Sequence, residues 1–351
     1  ALRHKTRGRR GILPAPLIEV TPGDRSLIGP FSVEWIPVTH STPETCALCI
    51  SVGQARILHT ADWKIDAAPV VGPAWSDKRF EALGVEGVDA VICDSTNALQ
   101  AGRSVTEGRV AQGLTEAIQR SEGRVVVGCF SSNIARIQTL SQIAADTGRY
   151  LGVLGRSAAG MANCAQQVGL FPSQFKPIHA EHLGYLPPRE VLAIATGSQG
   201  ESGAALHRLV AQTHPHLSLD AGDTVILSSR TIPGNEASVA RLIEGFRARG
   251  IHVLEADSSD TPLHASGHPY QDELRDLYQL LKPSLVVPVH GEAAHMAANA
   301  RIAKQAGASA ALTGVNGDLF YLSPVPGVRR RYAPVGRLQW CEDTERLINV
   351  N

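Results

Sequence analysis

The stretch 124–154, RVVVGCFSSNIARIQTLSQIAADTGRYLGVL, decides the fold. Its apolar run Val125 to Cys129 has the length of one buried strand, the residues from Asn133 have helical spacing, and Tyr150 to Leu154 is apolar again. The rhythm continues downstream. A helix near Gly160 leads to a strand over Val191 to Ala195, one near Gly203 to a strand over Thr224 to Leu227, and one from Asn235 to a strand over His252 to Ala256. Strands that alternate with amphipathic helices predict a doubly wound parallel sheet, the α/β class. Upstream, the runs Phe31 to Val38, Cys46 to Val52, Arg56 to His59 and Ala90 to Cys93 predict a sheet-rich region. After Asp257 a loop with Pro262, Gly267 and Pro269 leads to a helix over Asp272 to Leu281, a strand over Leu285 to His290 and a helix from Glu292. The tail from Pro324, rich in Pro, Gly and Arg, predicts a linker.

Composition narrows the class. A chain of 351 residues has room for roughly two domains. With 43% hydrophobic and 19% charged residues and no low-complexity tract, it is neither disordered nor fibrous. Six irregularly spaced cysteines make no disulfide framework, so the expected compartment is the reducing cytoplasm. No apolar run approaches the roughly 18 residues of a membrane span, and residues 1–17 lack the apolar centre of a signal peptide, so no membrane partner is expected. Since 33 basic residues balance 33 acidic ones, a polyanion would have to be held by a local patch. Gly-x-Gly, Gly-Lys and Gly-x-Ser-x-Gly are all absent from the sequence, which removes the dinucleotide fingerprint, the P-loop and the nucleophile elbow.

Chemistry-bearing residues gather where strands end. His40 closes Ile36 to Thr39, Asp62 follows Ile57 to His59, Asp94 closes Val91 to Cys93, and His290 closes Leu285 to Val289; His268 stands in the loop before a helix. Ligands of α/β folds bind at the carboxyl ends of strands, and imidazole with carboxylate is the donor set of a zinc-type site. Taken singly, each of these residues reads as a hydrogen-bonded loop residue; the shared placement points to one rim.

The local sequences around them carry a resemblance. Val38-Thr39-His40-Ser41, His59-Thr60-Ala61-Asp62-Trp63-Lys64, Asp94-Ser95-Thr96-Asn97, Ser266-Gly267-His268 and Pro288-Val289-His290-Gly291-Glu292 resemble successive motifs of ribonuclease J. Phe130-Ser131-Ser132-Asn133, Thr196-Gly197-Ser198-Gln199-Gly200-Glu201 and Ile232-Pro233-Gly234-Asn235-Glu236 add to them, and the resemblance runs to about Leu322. That family is the bacterial branch of the metallo-β-lactamase nucleases with an inserted β-CASP domain. The resemblance implies an αββα metallo-β-lactamase framework over residues 1–105 and 258–323, split by a doubly wound β-CASP domain over 106–257, with 324–351 a linker towards a C-terminal domain.

The function it implies is a cytoplasmic, zinc-dependent ribonuclease in RNA processing and decay, 5′-to-3′ exonuclease and endonuclease, in which two zinc ions share a hydroxide that attacks phosphorus. His40 would bind one metal, Asp62 would bridge both, and His290 would bind the second. Asp94 would orient His268, and His268 would act beside the scissile phosphate. Ser131, Ser132 and Asn133, with the loop His264, Ala265, Ser266, Gly267 and His268, would hold phosphate. The implied partners are single-stranded RNA, preferably 5′-monophosphorylated, and further copies of the chain in a homo-oligomer.

One family motif, His-x-His-x-Asp-His, has no counterpart upstream of His40, where only His4 occurs. The sequence therefore reads as one whose front segment lies outside it, with an incomplete zinc site. Phe31 to Val52 is then expected at an open sheet edge, beside a self-sufficient wound domain. The competing reading is a catalytically incompetent fragment or pseudo-enzyme that binds RNA without cleaving it. His214-Pro215-His216 and the pair His179 and His182 read as solvated loops. Cys46 and Cys49 fall on opposite faces of a strand, which argues against a zinc or redox pair. The basic runs Arg3, Lys5, Arg7, Arg9, Arg10 and Arg329, Arg330, Arg331 read as exposed surface or as salt-sensitive RNA contacts.

Overall fold

The computed structural model describes residues 17–171, 176–256, 261–341 and 346–350. Its first part runs β1 (Arg25–Ile28), β2 (Phe31–Pro37), β3 (Cys46–Val52), β4 (Ala55–His59), α1 (Lys78–Glu86) and β5 (Ala90–Asp94). The alternating part runs α2 (Glu107–Gln119), β6 (Val125–Gly128), α3 (Ile134–Thr147), β7 (Tyr150–Leu154), α4 (Arg156–Gln167) and β8 (Val191–Ala195). It ends with α5 (Ala205–Val210), β9 (Thr224–Leu227), α6 (Glu236–Arg247) and β10 (His252–Glu255). The chain then returns through α7 (Gln271–Leu281), β11 (Leu285–Val289), α8 (Ala293–Gln305) and β12 (Ala310–Ala311).

The alternating part is a five-stranded sheet in the order β10-β9-β6-β8-β7, and every pair in it is parallel. Its strands are apolar on both faces because both are covered. Leu192, Ile194 and Ile226 pack towards α2, α3 and α4, while Val126, Ala193 and Val225 pack towards α5 and α6. Asn133 starts α3 by accepting the Arg136 N–H at 2.9 Å, and Gly148 ends it in the left-handed region at φ 69°.

The other half is a seven-stranded mixed sheet, β1-β2-β3-β4-β5-β11-β12, antiparallel as far as β4 and parallel beyond it. One face is packed by Phe80, Leu83, Leu274, Tyr278 and Ile302 of α1, α7 and α8 around the fully buried Trp63. On the opposite face Ala90, Leu285 and Val287 meet Phe320 and Leu322. The sequence reading expected Phe31 to Val52 at the open edge. Among the described residues β1 pairs with β2 through the two-residue turn Gly29-Pro30, where Gly29 has φ 58°, and forms the edge.

The segment read as a linker from Pro324 contains short paired strands. β13 (Leu319–Tyr321) pairs with β14 (Gly327–Arg329), and β15 (Arg337–Cys341) pairs with β16 (Arg346–Val350). The Pro and Gly residues that suggested a linker lie largely between these short strands. The basic run Arg3 to Arg10 and His4 lie outside the described residues.

Buried charges order the chain on each side of the junction, and one of them, Arg136, reaches across it to the Leu263 carbonyl. Glu273 on α7, 1% exposed, accepts the N–H groups of Ile65 and Ser104 at 2.8 Å each, the Ser104 hydroxyl at 2.7 Å and the Tyr270 N–H at 2.8 Å. Lys64, 1% exposed, pairs with Asp66 at 3.1 Å and donates to the Val105 carbonyl at 2.9 Å. Arg136, fully buried, pairs with Glu107 at 3.1 Å and donates to the Ser228 hydroxyl and the Leu263 carbonyl. Leu263 and Ala265 belong to the core of the wound half, so the segment returning from it is packed against it before reaching His268.

Candidate metal and phosphate site

Parallel register builds the rim. β5 lies between β4 and β11, with His59 opposite Ile92 and Val289 opposite Asp94. The chains leaving these strands therefore emerge side by side, carrying Asp62, Asp94 and His290. An isolated bridge between Thr39 and Lys64, in which the Lys64 N–H donates to the Thr39 carbonyl at 2.8 Å, brings His40 alongside. Two non-glycine residues at the rim have left-handed backbone, Ala61 at φ 53° and His290 at φ 56°, a strain that turns the chain sharply beside the charged groups.

Among the described residues one group of donors is close enough to hold an ion, Asp62, Asp94, His268 and His290, with ligand atoms within 4.8 Å of one another. His290 Nδ1 lies 3.1 Å from Asp62 Oδ1 and 3.4 Å from Asp94 Oδ1. His268 Nδ1 lies 2.6 Å from Asp94 Oδ2. His40 stands at the margin of this group, its Nε2 3.9 Å from Asp62 Oδ2. Its Nδ1 donates to the Gly267 carbonyl at 2.7 Å, so Nε2, 3.3 Å from the Ser41 hydroxyl, is left as the nitrogen with the lone pair that a metal-binding imidazole needs. Gly267 has to be glycine, because a Cβ there would come within 2.4 Å of the His40 ring.

The charges are tuned by these contacts. Burial pushes the Asp94 carboxyl up, but the hydrogen bonds from His268 and His290 outweigh it and hold the group well below the usual carboxylate range. The Asp94 contact raises His290. Burial lowers His40, opposed by its bond to Gly267. His264 is pushed down to about 3 by burial and then by the charges of Arg136 and Arg230.

Several supporting residues carry no role in the sequence reading. Asn97 donates to the Ser266 hydroxyl at 2.7 Å and to the His268 carbonyl at 3.2 Å, fixing the loop. Thr96 donates to Asp94 Oδ1 at 2.7 Å. Asn299, fully buried on α8, donates to the Asp94 carbonyl and the Ser95 hydroxyl, each at 3.0 Å, and accepts from Tyr278. A polar residue beside the apolar positions Ala298, Ile302 and Ala303 of one helix was the available signal.

On the phosphate side, Ser131 and Ser132 sit in the turn between β6 and α3, Ser131 half-buried and Ser132 exposed. Their N–H groups have no protein acceptor among the described residues. Asn133 is 4% exposed, and its side-chain oxygen caps α3 by accepting the Arg136 N–H. His264 Nδ1 lies 3.2 Å from the Ser228 carbonyl. The pairs His179 with His182 and His214 with His216 have ring centroids 6.2 and 6.0 Å apart and do not belong to the donor group at the rim.

A wound parallel-sheet domain joined to a mixed sheet with an imidazole and carboxylate rim defines the class, a metallo-β-lactamase framework carrying a β-CASP domain. The profile described as "Ribonuclease J, beta-CASP domain" matches residues 122–246, and that described as "Zn-dependent metallo-hydrolase RNA specificity domain" matches residues 261–312. Ribonuclease J of Sinorhizobium meliloti is 42% identical over 324 residues, covering 92% of this chain and 57% of its own length. Ribonuclease J of Mycolicibacterium smegmatis is 37% identical over 309 residues, covering 87% and 54%, and that of Thermus thermophilus 37% over 280 residues, covering 80% and 48%. The chain belongs to the ribonuclease J family, and it spans about half the length of these relatives. A crystal structure of a protein of unknown function from Enterococcus faecalis shares the fold, with a TM-score of 0.57 at 15% identity over 80% of this chain and 63% of that one.

Proposed function

We propose that this chain provides the metal-binding rim and RNA cleft of a zinc-dependent ribonuclease acting on single-stranded RNA. The observation that carries the reading is the meeting of Asp62, Asp94 and His290 beyond adjacent strand ends with His268 of the following loop, and His40 Nε2 3.9 Å from Asp62. In this reading His40, Asp62 and His290 hold metal. Zinc bound there would supply an activated water near neutral pH and offset charge growing on phosphate oxygens. His268, held by Asp94 through Nδ1, keeps Nε2 free to donate a proton or a hydrogen bond to phosphate.

The Ser131 and Ser132 N–H groups at the start of α3, with the loop from His264 to His268, are assigned to a terminal phosphate, and Asn133 to shaping that turn. The 5′-monophosphate preference, the exonuclease and endonuclease modes, the cytoplasmic site and self-association follow from family membership and are proposed with it. The domain limits 106–257 for the wound half and 258–323 for the returning half are proposed on the same footing.

A second reading has its own observation. Three metal donors suit one zinc ion with an open position, and two ions would need more donors than His40, Asp62 and His290 supply. The purified chain would then bind RNA without cutting it. The test is a cleavage assay on 5′-labelled single-stranded RNA with zinc present. Cleavage lost in Asp62→Ala supports a working nuclease. Salt-sensitive RNA binding without cleavage supports the second reading, and neither binding nor cleavage contradicts both.

A further inference from the structure

Arg230 follows β9 on the wound half, and Tyr270 precedes α7 on the metal-binding half. The two side chains meet across the junction. Arg230 donates to the Tyr270 hydroxyl at 3.0 Å, and its guanidinium lies 5.8 Å from the centre of the Tyr270 ring. A guanidinium carries five N–H donors, and among the described residues Tyr270 is the one acceptor it uses. It has no carboxylate partner among them. Glu255, which lines the same recess of about 70 Å³, pairs with Arg247 at 2.8 Å.

This contrasts with the other buried or half-buried cations of the junction. Arg136 is neutralised by Glu107 and Lys64 by Asp66. The backbone carrying Arg230 is also fixed: Gln199, 4% exposed, donates to the Arg230 carbonyl at 2.8 Å and accepts the Ile232 N–H at 2.8 Å. A cation held in place, half-buried and short of an anion is poised for one from outside, and its planar fork matches the two oxygens of a phosphate.

We propose that Arg230, steadied by Tyr270, binds a backbone phosphodiester of single-stranded RNA where the two halves meet, apart from the terminal-phosphate position. This rests on the reading of the chain as an RNA-binding ribonuclease J family member. A contact to an internal phosphate reads no base and no 5′ end, so it contributes uniformly and through counterion release.

The test is fluorescence anisotropy of the chain with a labelled oligoadenylate, 5′-hydroxylated or 5′-phosphorylated, over a series of KCl concentrations. Arg230→Gln is expected to weaken both RNAs alike, several-fold at the lowest salt, and to reduce the slope of log K against log salt by about 0.7. Arg230→Lys, which keeps the charge, is expected to retain the slope. Thermal melting establishes that each variant is folded. Unchanged affinity and slope in Arg230→Gln would overturn the proposal. So would a loss confined to 5′-phosphorylated RNA, or a loss matched by Tyr270→Phe with the slope intact, which would make the pair a latch between the halves. Absence of salt-sensitive RNA binding by the unaltered chain would instead remove the functional reading on which the proposal rests.

Discussion

The five-stranded half and the seven-stranded half solve the same problem differently. In the first, both faces of the sheet are covered by helices from one continuous stretch of chain, and Val125, Val126, Val127, Leu192 and Ala193 are fully buried. In the second, helices cover one face, a short hairpin meets part of the other, and the edge strand leaves Leu27 83% exposed and Ile28 56% exposed. The wound half supplies a sheet packed on both faces, while the mixed half supplies donors from segments that are far apart in sequence. The rim donors all belong to the mixed half, and Arg136 of the wound half reaches the segment that leads to them at the Leu263 carbonyl.

That contrast can be broken most severely at Arg136. Replacing it with Met strands the Glu107 carboxylate, 4% exposed, without its cation and should cost about 3–5 kcal/mol in urea unfolding. A cost below about 1 kcal/mol would mean that the pair does not order the wound half where it meets Leu263.

A smaller effect is expected from pH. His264 titrates at about 3 in the fold against 6.5 when free, because burial and the nearby Arg136 and Arg230 disfavour its charged form. Between these values the unfolded chain holds the proton and the folded chain does not, so stability should fall as pH drops from about 6.5 towards 3. Each unit contributes up to about 1.4 kcal/mol. His264→Asn should flatten this part of the profile of melting temperature against pH; identical profiles would show that His264 is hydrated and ordinary.

The mildest test is at the start of α3. Asn133→Ala removes the cap and should cost about 1 kcal/mol, with the 5′-phosphate preference of RNA binding kept. Loss of that preference at full stability would return Asn133 to the phosphate-binding set.

How much of this is legible in sequence follows from the same contrast. The wound sheet is readable because buried parallel strands are continuous apolar runs and their helices follow in order. Most rim residues are readable because they end or closely follow apolar strand runs, as Asp94 and His290 do, whereas His268 stands in a loop. What holds them is not: Asn299 reaches Asp94 from 205 positions away, and Glu273 gathers Ile65 and Ser104 through register that no local pattern encodes. β1 and the hairpins from Leu319 onwards are hidden by their brevity and by the Pro and Gly between their strands. Asn133 shows the opposite limit, a residue placed correctly at a strand-to-helix turn whose side chain the helix itself uses.

The central claim is that His40, Asp62 and His290 form a metal site, and zinc titration of the purified chain against a chromophoric chelator tests it most directly. The account predicts binding near one equivalent, weakened at least about tenfold by Asp62→Ala, with His214→Ala as an unaffected control. Equal zinc affinity in the unaltered chain and in Asp62→Ala would contradict it.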